Sequence, residues 1–141
     1  MMSFKFQKVN PNALGPHKTY DSDSGFDLCL IEHIKTEMGV SWYDTGIAVQ
    51  PPDGYYFEVY GRSSIAKSGY MLANNVGIID NSYRGTIKVA LLKVNANAPE
   101  LTLPCRIVQI IPRRLVHLHP EECASLDDTT RGTGGFGSTN L

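Results

Sequence analysis

Between residues 77 and 85 the chain places a carboxylate, Asp80, three positions ahead of a tyrosine, Tyr83, with Asn81 and Ser82 as turn-forming residues between them. Ile78 and Ile79 lead in, and Thr86-Ile87-Lys88-Val89-Ala90-Leu91 leads out, with apolar residues on one face of a strand. The spacing predicts a tight hairpin or hairpin-like turn with the acid on one arm and the aromatic on the other. Such a turn could hold a flat polar ligand; Asp80 could equally cap its own backbone.

Five further groups have chemical potential. The tail from Arg131 to Thr139 carries an arginine, glycines at 132, 134, 135 and 137, the lone aromatic Phe136, and the hydroxyls of Ser138 and Thr139. Glycine-rich backbone can close its N–H groups around phosphate oxygens, and arginine adds a charge-assisted fork. The formal Gly132-x-Gly134-x-x-Gly137 match to a dinucleotide fingerprint fails, because no strand precedes it and no helix follows. Arg62-Ser63-Ser64 opens a predicted helical turn over 63–68, ended by Gly69, where N–H groups suit an anion or a serine caps the turn. Gln109 interrupts an apolar run and must find a partner in the core or in a site. Asp27, in another apolar strand, is either a structural acceptor or part of a metal's surroundings. His117 and His119 would face the same way on a strand, but their spacing fits no recognised zinc pattern, and a solvated strand end is the better reading.

The elements that must position these groups are short strands. They are expected at 4–9, 25–31, 40–49 (one or two), 55–60, 86–92, 101–103 and 106–111, with a weaker alternation at 113–119. Pro51-Pro52-Asp53-Gly54 and similar clusters separate them. Strands at intervals of about ten residues point to an all-β sandwich or barrel. Residues 1–126 read as one core domain and 127–141 as a flexible arm.

With 141 residues, 42% hydrophobic and 19% charged, the chain can bury a full core. A net charge of −1 argues against general affinity for nucleic acid or membrane, so a polyanionic ligand must be held by a few placed arginines. Cys29, Cys105 and Cys123 are odd in number and widely spaced, as expected of free thiols in a reducing compartment. No apolar run is long enough to span a bilayer and the start lacks a secretory pattern, so a soluble intracellular protein is expected.

Ser24-Gly25-Phe26-Asp27-Leu28, Gly61-Arg62-Ser63-Ser64-Ile65-Ala66, the 77–85 turn, Arg106-Ile107-Val108-Gln109-Ile110 and the glycine-rich tail follow one another in the order and spacing of the trimeric dUTPase family. The chain resembles that family from about Gly25 to Thr139, most specifically in the tail. Cys105, Thr133 and Asn140 stand where other residues are common. The resemblance implies a distorted jelly-roll or β-barrel of the β-clip kind, assembled as a homotrimer and located in the cytoplasm or nucleus; a viral source is compatible with it. It implies hydrolysis of dUTP to dUMP and pyrophosphate with Mg²⁺, which keeps uracil out of DNA and supplies dUMP for thymidylate synthesis. Asp80 would be the catalytic base. Arg62, Ser63 and Ser64 would hold phosphates, Gln109 would contact phosphate or the ordered water, and Asn74, Gly77 and Ile79 would read uracil. Tyr83 would press on the sugar, and Arg131, Phe136, Gly137, Ser138 and Thr139 would close over the nucleotide. Asp27 would act on the metal through water. A dCTP deaminase on the same fold, or a nucleotide-gated regulator, is the alternative.

Overall fold

The computed structural model describes residues 2–137 and contains nine strands and one 3-10 turn. In chain order these are β1 (Lys5–Lys8), β2 (Phe26–Leu30), β3 (Glu32–Glu37), β4 (Val40–Gln50), β5 (Tyr55–Gly61), the 3-10 turn Ser63–Lys67, β6 (Tyr70–Leu72), β7 (Gly77–Ile79), β8 (Thr86–Lys93) and β9 (Cys105–Arg114). Every ladder is antiparallel. One sheet runs β1-β4-β8-β6, with β3 also paired to β4; the other runs β2-β9-β5-β7. This is the expected all-β jelly-roll architecture, with its two sheets left open rather than closed into a barrel.

Alternation along the strands builds the core. Ile87 and Leu91 of β8, Phe57 and Val59 of β5, and Val108 and Ile110 of β9 all lie within the buried cluster. Phe4 packs edge-on against both Phe26 and Phe57, with ring centroids 5.1 and 4.9 Å away. That geometry suits the opposed edge and face charges of aromatic rings. Strand β4 turns a corner in this core at Thr45 and Gly46. Thr45 is buried and its hydroxyl donates to the Ile87 carbonyl at 2.7 Å. Gly46 has φ +67°, and a Cβ there would lie 2.8 Å from Asn10 Cβ and 2.9 Å from Ile31 Cδ1.

Several expectations change. The strand expected at 101–103 is absent, and β9 stops at Arg114, only two residues into the alternation expected at 113–119. Strands β3 and β6 went unforeseen. Strand β3 is exposed at all six residues and held by its ladder to β4, so it carries no apolar period to detect. The 77–85 hairpin is not a hairpin: β7 pairs with β5 in one sheet, whereas β8 pairs with β4 and β6 in the other. The turn between them is a crossover from sheet to sheet. Tight-turn residues specify that the chain bends, not which strands then pair.

On the outward side of β5, Tyr56 and Tyr60 donate hydroxyl hydrogen bonds to Glu58 at 3.0 and 2.7 Å, and Arg113 Nε lies 3.3 Å from the same carboxylate. Tyr60 above all, then Tyr56 and Arg113, hold the Glu58 carboxyl below the usual glutamate range. A depressed carboxylate stabilises the fold above its unfolded pKa and loses that contribution as pH falls through the folded value. The melting-temperature gap between wild type and Glu58→Gln should therefore be full at neutral pH and shrink below pH 4.5. Gly46→Ala should lower the unfolding free energy by about 2 kcal/mol or more, read by urea denaturation, because it adds both a left-handed backbone penalty and a clash.

Candidate functional site

One cluster forms where β2, β9 and the end of β5 meet. Asp27 lies opposite Gln109, and Gln109 lies opposite Tyr60, so the three occupy one row across the sheet. The Gln109 side chain donates Nε2–H to the Gly61 carbonyl at 3.2 Å, which gives that polar residue its partner. Gly25 leaves room for it: a Cβ at 25 would come within 3.1 Å of Gln109 Cδ. Arg62 follows β5, with its backbone N–H bonded to the Ile107 carbonyl at 2.8 Å. Its Nε lies 2.9 Å from Asp27 Oδ1, and its Nη1 donates to the Arg106 carbonyl at 2.6 Å. Asp27 is thus the acceptor of a charged donor. The helical turn is 3-10, and Arg62 itself occupies the capping position without a side-chain cap bond. Ser63 and Ser64, expected as possible caps, are exposed beside the arginine.

A second group gathers around β7. Asn74, Gly77 and Ile79 line a cleft of about 280 Å³ whose other walls include Val59, Leu72 and Val89. Gly77 sits opposite Val59, where a Cβ would come 3.1 Å from the Val59 Cβ and 3.7 Å from Asn74 Nδ2. Small size at 77 therefore keeps backbone polar groups and the Asn74 amide open to a flat ligand. The following turn is closed by the Tyr83 N–H, which donates to the Asp80 backbone carbonyl at 3.0 Å. Asn81 secures it further by donating to the Tyr55 and Pro52 carbonyls at 2.8 and 3.2 Å. Among the described residues the Asp80 carboxylate takes no part in closing the turn; it lines an open cleft with Tyr56, Ser82 and Arg114. Tyr83 donates its hydroxyl to the Thr86 carbonyl at 2.9 Å, and its ring covers Gly85, where a Cβ would lie 2.6 Å from the Tyr83 Cζ.

These two groups do not meet within one chain. Asp80 follows β7 at the level of Tyr56, whereas Gln109 lies at the level of Tyr60 on the other side of β5. Strand geometry sets them about 13 Å apart along the strands and about 10 Å apart across them. The arm stands apart from both. Arg131 Nε donates to the Gly134 carbonyl at 2.8 Å, so this part of the arm turns on itself. Phe136 is fully exposed with φ +49°. Ser138 and Thr139 lie outside the described residues.

Among the described residues no three His, Cys, Asp or Glu side chains come together in a way that could hold a metal ion. His117 and His119 fall beyond the end of β9, exposed and outside any strand. All three cysteines are free thiols, Cys29 buried, Cys105 half-buried and Cys123 exposed. No helix among the described residues is long and apolar enough to cross a membrane. Sequence reasoning missed the Arg106 carbonyl as an anchor for Arg62, since a backbone acceptor leaves no sequence signal. It also missed Tyr56, Glu58 and Tyr60, whose polar alternation along 55–60 was the available sign of an outward face.

Comparison with known proteins points to one family. The family model described as dUTPase matches residues 12–140. The deoxyuridine 5'-triphosphate nucleotidohydrolase of Helicobacter pylori (strain 26695) is 37% identical over 142 residues, covering 99% of this chain and 98% of that protein. The Wolinella succinogenes protein of the same name is 37% identical over 140 residues, covering 98% and 94%. Among solved structures, a Staphylococcus bacteriophage 80alpha dUTPase variant with dUpNHpp superposes with a TM-score of 0.76 at 17% identity, covering 99% of both chains. A variant dUTPase from phage phi11 of S. aureus, described as coordinating a structural Mg(II) ion, gives 0.72 at 13% identity, covering 88% of this chain and 98% of its own. With a family model spanning nearly its whole length and relatives above one-third identity end to end, the chain belongs to the dUTPase family.

Proposed function

We propose that this protein hydrolyses dUTP to dUMP and pyrophosphate, the activity for which its relatives are named. The observation that carries the mechanism is the Asp80 carboxylate, which is exposed and free of the turn's own bonding, next in sequence to a strand that lines a base-sized cleft. Uracil enters that cleft, where the Asn74 amide and the backbone at Gly77 and Ile79 read its edge. A thymine methyl meets the wall, and cytosine leaves polar groups unpaired. Tyr83 presses on the sugar and leaves no space for a 2′-hydroxyl. Asp80 accepts a proton from water as the water oxygen attacks the α-phosphorus; the bond to the bridging oxygen of the β-phosphate breaks and pyrophosphate leaves. Aspartate is a weak base, so most of the rate comes from positioning and charge neutralisation, with Arg62 and Arg131 supplying charge and Gln109 helping to position the reacting groups.

Magnesium fits this site as a companion of the triphosphate rather than as a resident of a protein cage. Among the described residues no cluster of three ligating side chains exists, and Asp27 is the carboxylate beside Arg62. Mg²⁺ commonly binds phosphates and retains its waters. When bound, it would neutralise the phosphate charge, with Asp27 in reach of a metal-bound water.

The separation of Asp80 from Arg62 within one chain supports a homotrimer whose sites are shared between subunits. Residues 1–126 form the core of each subunit, and residues 127–141 act as an arm. From that arm Arg131, Phe136, Gly137, Ser138 and Thr139 close over the nucleotide, with Phe136 stacking on uracil. The full exposure of Phe136 fits a role completed on a neighbouring subunit. No observation favours a deaminase or a nucleotide-gated regulator over this reading.

Asp80→Asn should lower kcat about 10²- to 10⁴-fold while dUTP still binds tightly, measured by pyrophosphate release and by calorimetry. Near-normal turnover in that variant would remove Asp80 from the chemistry. A chain lacking residues 131–141 should be as inactive, with little change in melting temperature. Refolding the two inactive proteins together should then restore part of the activity, because some sites in a mixed ring combine an intact Asp80 with an intact arm. Proven subunit exchange without recovery would show that each site is built within one chain.

A further inference from the structure

Arg62 is one of the few cations placed to meet a phosphate, and three features of the fold constrain its direction. Its backbone is tied to Ile107, its Nη1 donates to the Arg106 carbonyl at 2.6 Å, and its Nε lies 2.9 Å from Asp27 Oδ1. Asp27 is itself firmly seated. Its N–H donates to the His17 carbonyl at 2.7 Å, its carbonyl accepts from the His17 N–H at 3.0 Å, and Gln109 opposes it in the ladder. The Asp27 side chain is only 15% exposed, against 33% for Arg62, so the acid is the fixed member and the arginine the held one. A guanidinium carries five N–H donors in a planar fork. With Nε and Nη1 engaged by different partners, the Nη2 N–H groups are left to meet an incoming oxygen.

We propose that Asp27 is a positioning residue for Arg62, aiming its guanidinium at the phosphates, a role that does not require the metal. A free arginine side chain loses rotamer entropy each time it engages a ligand, and a preset fork avoids that cost. The sign of the effect separates this role from a simple charge effect. A carboxylate that merely sits near the site repels polyanions, so removing it would tighten their binding. A carboxylate that aims the arginine makes binding weaker when removed. A role through metal-bound water predicts no change without metal.

The proposal rests on the phosphate-binding reading of Arg62, and its test does not require turnover. Inorganic pyrophosphate is titrated by calorimetry into the full-length protein in EDTA, with melting curves as a folding control. Asp27→Asn should weaken pyrophosphate binding about tenfold, the scale of one well-made charge-assisted contact. In an Arg62→Ala background it should have no further effect. Asp27→Glu, which keeps the charge but shifts the carboxylate by one methylene, should also weaken binding and serves if the asparagine variant does not fold. Unchanged or tighter binding in EDTA, full additivity with Arg62→Ala, or a wild-type chain that binds no pyrophosphate would each overturn the assignment. Should wild type bind pyrophosphate with the predicted losses yet release no dUMP from dUTP, the hydrolase reading fails and the role of Asp27 stands.

Discussion

The register of β5 against its two neighbours governs the rest of this structure. Tyr60 opposes Gln109 on one side and Val59 opposes Gly77 on the other, so a single strand sets the level of the Asp27–Gln109–Tyr60 row and of the cleft beside Gly77. Side chains alternate with period two, and a slip of one residue would turn Phe57 and Val59 out of the core and Tyr56, Glu58 and Tyr60 into it. The cost of burying a carboxylate and two phenols, against the gain from two large apolar side chains, makes that slip prohibitive. The polar trio then stabilises its own face, with both hydroxyls donating to Glu58 and Arg113 completing the charge balance.

Rigidity is unevenly distributed around this strand, in a pattern that suits the proposed chemistry. The groups assigned to phosphate sit on ladders or immediately after them, where both backbone and side chain have several anchors. The proposed base and the tyrosine lie on a turn braced by Asn81 against the loop before β5. Among the described residues of the arm, the Arg131 and Gly132 hydrogen bonds are made within the arm itself. Preorganised phosphate donors favour charge stabilisation, while a loosely tethered arm can admit substrate and release product.

The separation between the Asp80 turn and the Arg62 cluster has a topological origin. They lie at opposite ends of β5, which is paired on both edges within its sheet, so no side-chain motion can bring them together. Membership of the dUTPase family and the proposed ring of subunits answer the same geometric problem: each end of the strand can serve a different composite site. Asp27 belongs to this logic too, because an arginine that must serve a ligand shared between chains gains most from being aimed in advance.

Much of this was legible in the sequence. Alternation at 55–60 and 86–92 and turn residues such as Pro51-Pro52-Asp53-Gly54 marked the strands, since burial of one sheet face imposes a period of two. Motif order alone identified the family and the residues worth testing. Strand β3 was invisible, because an exposed strand held by backbone bonds needs no apolar pattern. Strand partners were equally hidden: the residues of 77–85 specify a bend, while the assignment of β7 and β8 to different sheets depends on which distant strands offer a free edge. The partner of Asp27 was open between metal and donor until the fold brought residues 27 and 62 together, and the carbonyl that holds the other side of Arg62 comes from residue 106. Local sequence determined secondary structure and chemical capacity because period and turn propensity are local. Contacts across 35 to 44 positions were decided by tertiary structure, because only the closed sheet sets which strand ends become neighbours.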